Sequence, residues 1–157
     1  MNGINKPPAA ATPDLTTLVA TVLGDLAFLL MDGEPAQATV EADGLEAEVR
    51  YSGAVSGRLR CWCTRGLAEK LAANLLAVEP NEHAAQSGAE DALREFMNVL
   101  CGQLVTSWHD PRGIYDLSIP TVRAGSAPPV ALDAAAEHVC RLGVEGEVLR
   151  CVHERQR

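Results

Sequence analysis

Residues 87–108 read SGAEDALREFMNVLCGQLVTSW, and the spacing of the apolar residues in this stretch predicts a long amphipathic helix. At about 100° of rotation per residue, one stripe of the helix collects the large apolar side chains. These are Leu93, Phe96, Met97, Leu100, Leu104 and Trp108. The opposite side carries a polar stripe with Asp91, Glu95, Asn98 and Gly102. The first stripe predicts the face buried in the core, and the second predicts a face turned outward.

The ends of this helix have their own signals. Ser87 and Glu90 have the spacing of a capping box, in which each side chain satisfies a free amide of the first turn, so the helix is expected to begin at Ser87. The turn sequence DPRG at 110–113 ends it.

The polar stripe contains two residues that a helix built for stability alone would avoid. Asn is a poor helix former, and Gly in an exposed helix interior costs about 1 kcal/mol relative to Ala. Glu95 alone would suit an ordinary solvated face. Asn98 and Gly102 favour an exposed polar site, because glycine leaves room for another surface to approach the backbone.

The segments on either side predict a single α+β domain, in which long helices pack on a largely antiparallel sheet. Periodicity predicts helices at 14–31 and from Arg65 to about Val78, and it predicts strands at 38–41, 47–51, 56–64, 116–122, 137–142 and 147–153. In the strand at 56–64, Leu59, Cys61 and Cys63 share one face, which we expect to be buried. Residues 1–13 are rich in Pro and Ala and are expected to be a flexible N-terminal tail before a domain at 14–157.

Composition excludes several classes of function. The chain of 157 residues has a formal net charge of -8 and no run of Lys or Arg, which opposes binding to nucleic acid or to an anionic membrane surface. No apolar stretch approaches the roughly 18 residues that cross a bilayer. The first 13 residues lack the apolar core of a signal peptide, so we expect a cytoplasmic protein.

The five cysteines are expected to be reduced thiols buried as small apolar residues, since their number is odd and they are widely spread. They are Cys61, Cys63, Cys101, Cys140 and Cys151. Cys61 and Cys63 are closer in sequence than the ligands of structural zinc sites, and the histidines show no matching spacing, so no metal site is predicted. A thiol or metal protein that uses Cys61, Cys63 and a histidine is the alternative. A Cys101–His109 dyad is rejected, because two helical turns separate the side chains.

Two motifs together indicate a family. Residues 91–102, DALREFMNVLCG, resemble the signature helix of the CheX/CheC/FliY phosphatases of bacterial chemotaxis, which has Glu, two residues, Asn, and Gly four residues later. Residues 117–125, LSIPTVRAG, resemble the S-x-P-x-x-x-x-G segment that follows this helix in the family. The likeness extends over about Leu15 to Val152, and the single helix motif is similar to CheX rather than CheC. The chain departs from the family at Cys61-Trp62-Cys63 and at Ala77, where a Gly often ends the preceding helix.

The resemblance implies an enzyme that removes phosphate from the aspartyl phosphate of a CheY-like response-regulator receiver domain. By this resemblance Asn98 would orient the attacking water and Glu95 would pair with a receiver lysine, while Asp91, Arg94 and Gly102 would contact the partner. Mg²⁺ would belong to the receiver, so no cofactor is expected on this chain, and a homodimer is implied. The alternative is a receiver-binding or scaffold module without catalytic activity.

Overall fold

An antiparallel sheet with three helices packed on it makes up the part of the chain that a computed structural model describes, residues 11–33, 42–128 and 136–157. The helices are α1 (Leu15–Ala27), α2 (Arg65–Leu76) and α3 (His83–Trp108). The strands are β1 (Met31–Gly33), β2 (Asp43–Ser52), β3 (Ser56–Thr64), β4 (Asp116–Leu117), β5 (Thr121–Ser126), β6 (His138–Val144) and β7 (Glu147–Gln156). The predicted single-domain α+β class is confirmed. None of the helices in these residues is both long and apolar enough to cross a membrane.

Two hairpins, β2–β3 and β6–β7, form the body of the sheet and meet where β3 pairs with β7. The strand order is β1-β6-β7-β3-β2-β4, and β5 also pairs with β2. Alternation along β3 turns Leu59, Cys61 and Cys63 into the core, as predicted, where each is at most 1% exposed. Trp62 points to the other face, and its indole nitrogen donates to the Gly125 carbonyl at 3.0 Å.

Helix α1 begins as predicted but ends earlier. The Asp14 carboxylate accepts from the Thr17 amide at 2.7 Å and caps the first turn. Phe28 then takes a left-handed conformation with φ of 54°, and its amide donates back to the Gly24 carbonyl, which ends the helix at Ala27. The predicted helix up to residue 31 is therefore too long, because residues 31–33 pair with β6 instead. The predicted strand at 38–41 and most of the predicted tail lie outside the described residues.

Helix α2 begins at Arg65, as predicted, and its C-cap is Ala77, with φ of 56°. This left-handed conformation favours glycine, which is the residue that the resemblance leads one to expect there. The Thr64 hydroxyl does not cap the helix; it donates to a Glu147 carboxylate oxygen at 2.6 Å.

Helix α3 begins at His83, one turn before the predicted start. The Ser87 hydroxyl donates to the Ala84 carbonyl at 3.4 Å, as it would within a helix, so the capping-box prediction is wrong. The chain enters the helix through a turn in which the Glu79 amide donates to the Glu82 side chain at 3.0 Å. The end of the helix at Trp108 agrees with the prediction.

The predicted strand at 116–122 is divided into β4 and β5, both of which pair with β2. Pro120 lies in the break between them, where it needs no amide hydrogen for the ladder.

The prediction of five reduced thiols is wrong, because Cys61 and Cys151 form a disulfide. Strands β3 and β7 place these two residues directly opposite each other, with their Cα atoms 4.1 Å apart. The pairing joins positions 90 residues apart in the sequence, which spacing alone does not reveal. It also removes Cys61 from the alternative metal site with Cys63.

The other cysteines are free and buried, as predicted. Burial raises the pKa of the Cys63 and Cys101 thiols to about 12 and that of Cys140 to about 11. All three are therefore protonated and unreactive at neutral pH.

Counting thiols in three conditions tests this arrangement. We expect iodoacetamide to label no cysteine of the native protein, three after denaturation without reductant, and all five after denaturation with reductant. In the matched variant Cys61→Ala, the count without reductant should be the same as the count with it. Mass spectrometry gives these numbers directly, and five labels on the denatured wild type before reduction would disprove the disulfide.

Candidate active site on helix α3

Five large apolar side chains hold α3 in the core. Each of them is 0% exposed: Leu93, Phe96, Met97, Leu100 and Leu104. Burying a side chain of this size contributes about 1.5–3 kcal/mol, so together they fix the rotation of the helix about its own axis. The buried stripe predicted from periodicity is confirmed at these five positions, while Trp108 is partly buried, and the polar stripe is thereby turned away from the core.

Glu95 and Asn98 are both exposed on this outward side. Because they are three residues apart, they stand on adjacent turns of one helix face, where Cβ atoms are about 5–6 Å apart. Among the residues that the structure describes, neither side chain has a hydrogen bond or an ion pair. Both groups are free to interact with something outside the chain.

Gly102 lies one turn further along the same stripe, and the packing of the described residues does not require a glycine there. A Cβ placed on it would have no neighbour within 4 Å. Gly88 on the same helix is different, since a Cβ there would meet Leu76 Cδ1 at 3.3 Å, where α3 packs on α2. The open space at Gly102 leaves the backbone accessible beside Asn98.

Asp91 and Arg94 are occupied with each other. The Arg94 guanidinium contacts the Asp91 carboxylate at 2.6 Å and that of Glu90 at 3.5 Å. Exposed ion pairs of this kind contribute at most about 1 kcal/mol, so a charged partner could replace them. The assignment of Asp91, Arg94 and Gly102 to partner binding stays a prediction.

The pair on α3 can position and polarise a reactant, and it contains no hydroxyl or thiol nucleophile. An ionised carboxylate accepts hydrogen bonds, and a carboxamide both accepts and donates them. Cys101, on the same helix, is 0% exposed and protonated at neutral pH, so the Cys101–His109 dyad is excluded as expected.

A second polar cluster lies beyond the C-terminal end of α3 and was not predicted. Tyr51, His109, Glu137, His138 and His153 converge there from separate elements. Their sequence spacing carries no signal, because the pairing of β7 with β6 and the packing of β2 and the end of α3 bring the residues together.

Comparison with known proteins identifies the family. The model of the chemotaxis phosphatase CheX family matches residues 46–142, which is more than half of the chain, so the chain belongs to this family. A search of curated proteins finds no match.

Solved structures share the fold at low sequence identity. The chemotaxis protein CheX of Desulfovibrio desulfuricans is 14% identical, with a TM-score of 0.65 over 90% of this chain and 96% of its own. The CheX of Vibrio vulnificus is 18% identical, with a TM-score of 0.60 over 89% and 96%. The CheX–CheY–BeF3–Mg²⁺ complex of Borrelia burgdorferi contains a chain that is 17% identical, with a TM-score of 0.60 over 91% and 96%.

Substitution of Gly102 tests whether the space beside Asn98 is open. Gly102→Ala should raise the free energy of unfolding by about 1 kcal/mol, because alanine is the better helix former and its Cβ meets nothing. Gly88→Ala is the matched control, in which the new contact with Leu76 should reduce or reverse this gain. Urea denaturation measures both. A loss of stability in Gly102→Ala would show that the glycine is needed by the fold.

Proposed function

We propose that this chain is a phosphatase that hydrolyses the aspartyl phosphate of a CheY-like receiver domain. The observation that carries the proposal is the exposed pair of Glu95 and Asn98, which has no partner among the described residues of a chain from the CheX family. The Borrelia burgdorferi complex, in which a protein of the same fold is bound to CheY, supports a partner of this kind.

Asn98 is proposed to enter the receiver's phosphorylation site and orient the attacking water. Phosphoryl transfer depends mainly on in-line positioning and on stabilisation of charge. A carboxamide suits this task, because its oxygen accepts a hydrogen bond from the water and it does not compete as a nucleophile. The exposure of Asn98 and the open space at Gly102 support such an approach.

Glu95 is proposed to form an ion pair with a lysine of the receiver. A charge-assisted hydrogen bond is stronger than a neutral one and would fix the register of the docked helix. Since Glu95 has no ion pair with another described residue, no internal contact is lost when the partner binds. Mg²⁺ would be held by the receiver, and this chain would need no cofactor for the reaction.

Two further properties accompany the proposal. The homodimer that the resemblance implies stays a prediction. With a receiver as its partner, the chain is proposed to work in the cytoplasm, where thiols are kept reduced and disulfides are rare. The state of Cys61 and Cys151 in freshly isolated protein is therefore informative about the compartment.

Asn98→Ala is the decisive variant. We expect the stimulated rate of receiver dephosphorylation to fall on the order of 10²-fold, the scale expected when the water is no longer positioned. The free energy of unfolding should rise by about 0.5 kcal/mol, because the Asn98 side chain has no hydrogen bond to another described residue and alanine favours the helix. Phosphate release from a phosphorylated receiver and urea denaturation measure the two effects.

Asn74→Ala is the matched control for Asn98→Ala. The Asn74 amide donates to the Ala27 carbonyl at 2.5 Å, so its loss should lower stability by about 1 kcal/mol with little effect on the rate. Equal rates in Asn98→Ala and the wild type would refute the proposed role. Binding of the phosphorylated receiver by the wild type without faster hydrolysis would indicate the scaffold function instead.

Glu95→Gln separates docking from chemistry. Loss of a charge-assisted bond of about 1.5–3 kcal/mol should raise KM for the phosphorylated receiver about tenfold or more, while kcat changes less. Glu90→Gln removes the same charge from the same helix and should leave KM near the wild-type value. Steady-state kinetics with both variants gives the comparison, and equal KM values would exclude an ion pair at Glu95.

A further inference from the structure

Three groups that can bind a metal lie together where β6 begins. Glu137, His138 and His153 each offer one ligand atom, and these atoms all lie within 4.8 Å of one another. The register of β6 and β7 places His138 directly opposite His153, and the Glu137 amide donates to the His153 carbonyl at 3.1 Å. The backbone therefore fixes the relative positions of all three residues.

His153 is the buried member of this cluster, and one of its nitrogens has no hydrogen bond to any described residue. The residue is 2% exposed, and Nδ1 is buried without a hydrogen bond. The nearest acidic group is the Glu137 carboxylate, at 4.0 Å. A buried polar atom left unsatisfied costs about 1–3 kcal/mol, which a ligand at this position would recover.

The other ring nitrogen of His153 is held by a hydrogen-bond chain. Nε2 lies 2.9 Å from the Tyr51 hydroxyl, which in turn lies 3.1 Å from His109 Nε2. When His153 Nε2 donates to the Tyr51 oxygen, the Tyr51 hydroxyl can donate to His109, and Nδ1 of His153 is left with a free lone pair. Metal-binding histidines are typically oriented in this way, with the second nitrogen donating to an outer partner.

Aromatic packing holds the two imidazoles of the cluster. The Trp108 ring packs at 4.5 Å from the centre of the His138 ring and at 5.0 Å from that of His153. These contacts limit the orientations that both imidazoles can adopt.

A cavity of about 440 Å³ adjoins the cluster and gives access to it. Its charged lining residues include Asp14, Glu137 and Arg155, so the two carboxylates exceed the one guanidinium. A small cation with a water molecule can enter a space of this size.

We propose that Glu137, His138 and His153 bind a divalent transition-metal ion of the zinc type, with His153 coordinating through Nδ1 and the fourth position open to the cavity. Two imidazoles and one carboxylate are a ligand set that zinc prefers when one position is left for water. Tetrahedral metal–ligand bonds of about 2.1 Å place the ligand atoms about 3.4 Å from one another. The distances between the three ligand atoms, now up to 4.8 Å, must therefore shorten by roughly 1 Å when the ion binds. Glu137 and His138 are exposed and can make this movement, whereas His153 stays in place.

This site goes beyond the proposed phosphatase function and is separate from it. Trp108 lies ten residues after Asn98 on α3, which is about 15 Å along the helix at 1.5 Å per residue. The metal would join the start of β6 to β7 next to the end of α3, and its role would be to stabilise that end of the domain.

Two calorimetric measurements on the metal-free protein test the site. Isothermal titration with Zn²⁺ gives the stoichiometry and affinity, and differential scanning calorimetry gives the melting temperature with and without the ion. We expect one ion per chain and a rise in melting temperature, because a ligand that binds only the folded state stabilises it. His138→Ala and Glu137→Gln should each weaken binding by more than about 100-fold, since loss of an outer-shell partner alone costs about 10- to 100-fold. Both residues are exposed, so these variants should fold normally. His83→Ala, which removes an exposed histidine outside the cluster, should bind like the wild type.

Two further measurements distinguish this site from other sources of binding. Tyr51→Phe keeps all three ligands but removes the bond to His153 Nε2, and it should weaken binding about 10- to 100-fold. The visible spectrum with Co²⁺ should show tetrahedral nitrogen and oxygen ligation without a thiolate charge-transfer band. Absence of binding with Zn²⁺ in excess, unchanged affinity in His138→Ala, or a thiolate band that assigns the ion to cysteine would each overturn the proposal.

Discussion

The burial of one stripe of α3 is the constraint on which the candidate site depends. Five fully buried apolar side chains fix the rotation of the helix, and turning it would return them to water at about 2 kcal/mol each. With those positions inside, Glu95 and Asn98 must stand outside, because residues on opposite sides of a helix cannot both face the core. The exposure of the pair is thus a consequence of packing and needs no contact of its own.

Two residues on the exposed stripe of α3 reduce the stability of the helix. Asn98 and Gly102 each cost some helical free energy relative to alanine, and neither recovers it through a contact within the described part of the chain. Gly88 differs, because the close packing of α2 on α3 accounts for it. Such a local cost without an internal return is typical of positions kept for an interaction with a partner.

Patterns confined to one element could be predicted from the sequence. The apolar stripe of α3 and the buried face of β3 depend on residues within a few positions of each other, and both are confirmed. The start of α3 was misplaced because two signals overlap: Ser87 fits a capping box, but the turn at Glu79 and Glu82 starts the helix earlier.

Features that depend on strand register could not be predicted. The Cys61–Cys151 disulfide and the His138–His153 pair both arise because β7 lies between β3 and β6 in the sheet. In the sequence those partners are far apart, and a shift of one residue in register would turn the side chains to opposite faces.

Strand β7 therefore links two chemically different regions of the domain. Through Cys151 it is joined covalently to β3 in the core, and through His153 it reaches the cluster beside the end of α3. The candidate active site draws on neither contact, because the residues that orient it lie on α3 between Leu93 and Leu104. Changes at the histidine cluster should act on the stability of one end of the domain, whereas changes at Asn98 should act on the reaction. The two proposals thus rest on independent sets of contacts, and each can fail without the other.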